Sequence, residues 1–281
     1  MSAFPVQKGT RKTISDFKLP WRLTNSIEKK TNHKYLFQSE LPLELDLSGC
    51  KGFTDASTLG VVKKLNLSNT SVKNVRGLDA VEYLNLSGTN VEDVSTLGGV
   101  KTLDLSSTNV TDVRALGKVD KLILVNCTGI SDVSALSKVK KLILSGCSGV
   151  SDISVLSTIE ELDLSWCNQI TDVSALSKVK KLNLTGCLNI TDVNALSTVE
   201  ELDLSWCHQI TDVNALSRVK KLNLTNCSKV TDVSALDKVE ELNLSYCTGV
   251  TDVSMLGGVQ ELDLTGCTSV KDFSAVLHAK R

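Results

Sequence analysis

The 281-residue sequence has only three histidines, no long apolar run and almost no charge imbalance, and each shortage narrows what the chain can be. His33, His208 and His278 have no nucleophile or acidic partner recurring at a recognisable spacing, so acid–base or triad chemistry has no support. No phosphate-binding glycine loop, Cys-x-x-Cys pair or zinc-ligand spacing is present, so no cofactor and no metal site is implied. No segment approaches the roughly 18 apolar residues of a membrane span, and the N-terminus lacks the apolar core of a signal peptide. A net charge of −1 gives no general attraction to nucleic acid or to a membrane. The expectation is a non-catalytic protein of the cytoplasm.

What the sequence has in abundance is one pattern, clear at Val179, Leu182, Leu184, Cys187, Ile190, Asp192, Val193 and Leu196. Its first strand leucine recurs at Leu45, Leu65, Leu84, Leu103, Leu122, Leu142, Leu162, Leu182, Leu202, Leu222, Leu242 and Leu262. A fixed period near 20 residues means a solenoid, in which each coil contacts only its neighbours. The steps starting at Leu65, Leu84 and Leu103 are 19 residues long and carry Thr70, Thr89 and Thr108, whereas the 20-residue steps carry cysteine. Length and residue identity change together, which fixes the register.

The spacing Leu-x-Leu-x-x-Cys-x-x-Ile/Val resembles the leucine-rich repeat, whose signature allows Asn, Thr or Cys where Cys187 stands. In that family a Thr at this site is followed by one spacer residue and a Cys by two. The turn motif Thr/Ser-Asp-Val/Ile-Ser/Asn-x-Leu resembles that of internalins and of the repeat-containing regulatory subunit of protein phosphatase 1. The near-identity of the coils is similar in style to expanded repeat families of protists and of giant DNA viruses of amoebae, which would place the protein in a host cytoplasm or a virion. The fold this implies is a leucine-rich repeat solenoid of the α/β class over residues 41–270. It has twelve coils, one parallel sheet of short strands, 3₁₀ or single-turn segments on the outer face, and weak curvature.

Within a coil, Val179, Leu182, Leu184, Cys187, Ile190, Val193 and Leu196 are expected to point inward, with the period-2 stretch forming the strand. The nine cysteines all occupy one place in the coil and read as a ladder of buried free thiols rather than a disulfide framework. Asn-x-Ser/Thr sequons such as Asn183-Leu-Thr185 and Asn243-Leu-Ser245 fall on predicted strands, where glycans would block the sheet, again favouring a non-secreted protein. The Asp192 column recurs at 93, 112, 132, 152, 172, 212, 232, 252 and 272 and is expected to accept from backbone N–H groups of the following turn.

A second period overlies the first, since residues 160–199 and 200–239 match at all but ten of 40 positions. Lys140-Lys141, Glu160-Glu161, Lys180-Lys181, Glu200-Glu201, Lys220-Lys221 and Glu240-Glu241 alternate in sign, an arrangement that opposes like charges if the coils slip by one. The same doubling places Trp166, Trp206 and Tyr246 just after alternate strands, about 10 Å apart at a strand spacing of ~4.8 Å, with Gly146, Gly186, Asn226 and Gly266 between them. Such a row suits a protein interface, or its rings lie flat over their small neighbours and cover the ladder.

On the solvent side of the strands the central column is Asp or Asn, including Asp163 and Asp203, except at Ile123 and Ile143. With Val125 these form an apolar patch, either a contact site or a surface covered by the N-terminal segment. Residues 1–40 hold Phe4, Phe17, Trp21, Tyr35 and Phe37 and eight Lys or Arg against three acids, and read as an N-terminal cap or a docking segment. Leu19-Pro20-Trp21-Arg22-Leu23 resembles the start of an F-box, which would imply a ubiquitin-ligase adaptor. Residues 271–281 read as a short C-terminal cap whose exposed strand edge allows a homo-oligomer through the solenoid ends. The expectation is a scaffold binding a protein partner through its strand face and edge, with a structural or self-assembling protein as the alternative.

Overall fold

The computed structural model describes residues 44–280 except Thr58, so the expectations for residues 1–40, including coverage of the apolar patch, lie outside the described residues. Twelve strands of three residues each run from β1 (Glu44–Asp46) to β12 (Glu261–Asp263) in one parallel sheet whose spatial order is the chain order. Among them are β5 (Lys121–Ile123), β6 (Lys141–Ile143) and β7 (Glu161–Asp163). The strand leucines stack in register, Leu142 on Leu162 and Leu182 on Leu202, so each coil repeats the face of the last.

The inward positions are the expected ones. Val179, Leu182, Leu184, Cys187, Ile190, Val193 and Leu196 are all buried, and the equivalent residues of neighbouring coils join them in one continuous apolar column. The outer face has no full helix among the described residues, only 3₁₀ segments from Leu97–Gly99 to Ser274–Val276. Those turns pack closely: a Cβ on Gly117 would lie 2.3 Å from the Ala135 carbonyl oxygen of the next coil.

The Asp column holds these turns. The Ser134 and Asn194 N–H groups donate to Asp132 Oδ1 and Asp192 Oδ1 at 2.9 Å, and the bond repeats down the column. Asp55 and Asn74 do the same for Ser57 and Arg76, extending the column two coils beyond the aspartates that the sequence pattern singled out. These bonds stabilise the ionised carboxylate, so the side chain and N–H of Ser134 hold Asp132 below its usual range, and Arg114 brings Asp112 down to about 2.

The cysteines are free and buried, and they do more than fill space. Cys187 Sγ donates to the Leu164 carbonyl of the preceding coil at 3.1 Å, while its N–H donates to Leu184 of its own coil at 3.0 Å. The same contacts recur from Cys147 to Cys267, so the thiols tie each coil to the one before it. In the 19-residue coils Thr70, Thr89 and Thr108 instead donate their hydroxyls to Leu67, Leu86 and Leu105 within their own coils, at 2.7, 2.6 and 2.6 Å. The two systems meet where the Leu105 carbonyl accepts both the Thr108 hydroxyl and the Cys127 thiol, the latter at 3.1 Å. Burial pushes the thiols from Cys127 to Cys267 up, Cys147 and Cys207 to about 12, which leaves them little thiolate for redox chemistry.

At the C-terminus the turn of the repeat recurs once more after β12. Asp272 makes its turn, Val276 is fully buried, and Lys280 pairs with the edge of β12 on both sides. Its N–H donates to Leu262 at 2.9 Å and its carbonyl accepts from Leu264 at 2.7 Å. A single residue therefore occupies the centre of that edge.

Candidate binding surface

Each coil must turn sharply after its strand to send the Cys or Thr side chain back into the core. The Leu184 carbonyl accepts from the Cys187 N–H, and Gly186, third of the four residues, has φ +68°. A turn with positive φ only at its third position is of type II, which favours Gly or Asn there. All twelve coils are alike in this: Gly49, Asn69, Gly88, Ser107, Asn126, Gly146, Trp166, Gly186, Trp206, Asn226, Tyr246 and Gly266 have positive φ. The N–H of this residue also extends the sheet ladder, as Trp166 does to the Thr185 carbonyl at 2.8 Å.

Three of those positions hold bulky aromatics, with φ of 62° at Trp166, 63° at Trp206 and 60° at Tyr246. A left-handed backbone costs an L-residue about 1–2 kcal/mol, and only Gly, Asn or Asp adopt it routinely. The three residues are only partly buried, at 48%, 44% and 53% exposure, so about half of each aromatic surface is left open to solvent. Each half-covers something: a Cβ on Gly186 would lie 2.6 Å from the Trp166 ring, and one on Gly266 would lie 2.6 Å from the Tyr246 ring. The rings thus rest on the glycine of the next coil, one of the two arrangements that the alternation of large and small residues suggested. A side chain has no room at Gly186 or Gly266 beside these rings, which gives the alternation of large and small residues a packing basis at those two pairs. Trp206, followed by Asn226 rather than Gly, is bracketed by His208, whose ring meets it edge-on at 5.8 Å and whose Nδ1 lies 3.0 Å from the Asn226 carbonyl.

Beside the row, the inner strand face forms an open trough of about 850 Å³ from Lys121 to Lys280. Lys141, Lys181 and Lys221 pair with Glu161, Glu201 and Glu241 across coils, the first two at 2.8 Å, which is the charge register expected. The Asp/Asn column is already engaged by its own chain. Asp163 Oδ1 accepts from the Ser165 N–H and hydroxyl at 2.8 and 2.6 Å, and its Oδ2 accepts from Asn183 at 3.2 Å. Asp203 makes the same set with Ser205 and Asn223. These carboxylates terminate strands as well as facing solvent, a role that the Asp-x-Ser and Asn-x-Thr spacing already encoded.

Ile123 and Ile143 lie opposite each other in β5 and β6, between Asp104 and Asp163. With Val125 they are half-buried, and neither isoleucine has an acceptor to make the strand-ending bond. The patch is therefore two coils wide and lies apart from the aromatic row, which begins one coil later. Among the described residues no group of three or more His, Cys, Asp or Glu could hold a metal ion, and no helix is long and apolar enough to cross a membrane.

A family model described as Leucine Rich repeat matches residues 155–177 and 195–213. Together with the twelve in-register coils this decides the architecture. The chain is a leucine-rich repeat solenoid. An internalin (inlF) from Listeria monocytogenes superposes on this leucine-rich repeat chain at 19% identity with a TM-score of 0.54, covering 81% of this chain and 85% of that one. A TLR13–ssRNA13 complex matches at 20% identity and a TM-score of 0.52, covering 74% of this chain and 36% of that one. At such identities the leucine-rich repeat likeness is one of fold. No curated protein sequence matches the chain.

Proposed function

We propose that the solenoid is a non-catalytic scaffold that binds a protein partner along the row Trp166, Trp206 and Tyr246 and the adjoining strand face. One observation carries this reading: three aromatics are held half-exposed at backbone positions where Gly or Asn fits without strain. Strain kept at a surface without full burial points toward contact rather than folding. Half-exposed Trp and Tyr are also the residues on which protein interfaces concentrate binding energy. Asp163 and Asp203 border the row, while Ile123, Val125 and Ile143 offer a second, smaller apolar contact on the same face. The buried, weakly acidic thiols suit a reducing compartment such as the cytoplasm.

The test uses Trp166→Asn/Trp206→Asn/Tyr246→Asn, because Asn226 already adopts the same backbone conformation. Affinity capture from the native cell with wild type and this variant, with folding checked by circular dichroism, should show a partner retained by the first and lost by the second. Identical partners would overturn the role of the row.

A further inference from the structure

Given that the row is a contact surface, we infer that its ligand is a proline-rich segment in the polyproline II conformation that carries a basic residue toward its Trp166 end. Alternate coils repeat every ~9.6 Å at the ~4.8 Å spacing of paired strands. A polyproline II helix has three residues per turn and rises ~3.1 Å per residue, so one of its faces repeats every ~9.3 Å. Over the two steps from Trp166 to Tyr246 the mismatch stays near ~0.6 Å. An extended strand presents the same face every ~6.7 Å and falls out of step at once. An α-helix repeats a face after seven residues, ~10.5 Å, and is out by ~2 Å across the same two steps.

The chemistry agrees with the spacing. Trp166 and Tyr246 rest on glycines, which leaves aromatic surface outward for proline rings to pack on. Among the described residues, no hydrogen bond uses the Trp166 or Trp206 indole N–H or the Tyr246 hydroxyl; their contacts are backbone bonds and, for Trp206, the His208 ring. A polyproline II segment has no internal hydrogen bonds, so its carbonyls are open acceptors for such donors, and its preformed shape lowers the entropy lost on binding. Asp163 and Asp203, three residues before each tryptophan and in no ion pair among the described residues, put negative charge beside the first two aromatics, whereas neutral Asn243 stands beside Tyr246.

Calorimetric titration of the full chain with a synthetic peptide carrying proline at every third position and arginine at both ends tests this. Wild type should bind, a peptide of the same composition with shuffled spacing should not, and each of Trp166→Asn, Trp206→Asn and Tyr246→Asn should weaken binding about tenfold. Melting curves establish that the variants are folded. Equal binding of the shuffled peptide, or undiminished binding by the triple variant, overturns the inference. So does a wild type that ignores the peptide or binds an oligosaccharide instead. Should the triple variant lose a native partner that contains no such segment, the scaffold reading stands and this one fails.

Discussion

The Trp166 ring occupies the space that a Cβ on Gly186 would need, with Cε3, Cδ2 and Cζ3 lying 2.6, 2.7 and 2.8 Å from that point. One residue of each pair is large because the other is absent beyond its backbone. That relationship, repeated at Tyr246 and Gly266, links the two-coil sequence period to the surface.

Gly186→Ala should therefore destabilise the chain by about 1–3 kcal/mol, from the left-handed backbone and from overpacking against the ring. In a double-mutant cycle with Trp166→Asn, part of that cost should disappear, because the clash goes and the backbone strain stays. Denaturant unfolding of the four proteins measures it; strict additivity would show that the ring yields freely.

Coil length and the Cys/Thr choice should prove coupled. In a 20-residue coil the Leu184 carbonyl already accepts from the Cys187 N–H at 3.0 Å and the Cys207 thiol at 3.1 Å. Cys187→Thr adds a third donor to that carbonyl and removes the bond to Leu164, so a loss of about 1–3 kcal/mol is expected. Deleting the second spacer, Asn189, in the same protein should recover part of the loss by recreating the geometry of the Thr coils. A deletion that only worsens stability would argue that the two features are independent.

Acid should weaken the fold within a definite window. The turn carboxylates Asp93, Asp112, Asp132, Asp152, Asp172, Asp232, Asp252 and Asp272 are held below their ordinary value of 3.8. Their stabilisation is complete above the unfolded value and is lost as pH falls through the folded ones, to about 2 for Asp112. The urea midpoint should be flat from neutral pH to about pH 5 and fall steadily below about pH 4. A midpoint unchanged at about pH 2.5 would contradict the capping role.

At the interrupted column, Ile143→Asn should restore the strand-ending bond that Asn183 makes to the Thr185 N–H at 2.9 Å. A gain of about 0.5–1 kcal/mol in unfolding free energy is expected if the patch is a free contact surface. A marked loss would instead show that the patch is covered by the chain itself.

The architecture was legible in the sequence because a solenoid repeats one local solution, and Leu182, Leu184, Ile190 and Asp192 state it in every coil. The charge register was legible for the same reason. The left-handed turn position was only half-legible. Its column of Gly, Asn and Ser encodes positive φ, yet the Trp and Tyr residues that mark the surface hide that signal by breaking it. The thiol ladder is legible as buried free cysteines but not as a set of hydrogen bonds, since spacing alone does not tell whether a side chain reaches its own coil's carbonyl or its neighbour's. Asp163 and Asp203 stand out in the sequence as solvent-facing groups, while the Ser two residues on is the signal for their local bond.

The unfolding midpoint of Trp166→Asn/Trp206→Asn/Tyr246→Asn tests most directly whether these aromatics serve contact rather than folding. Relief of left-handed strain, about 1–2 kcal/mol at each position, should offset much of the packing lost from rings that are only half buried, so no more than a modest fall of the midpoint from that of wild type is expected. A fall of many degrees would mean that the rings hold the coils together, and would contradict their assignment to a binding surface.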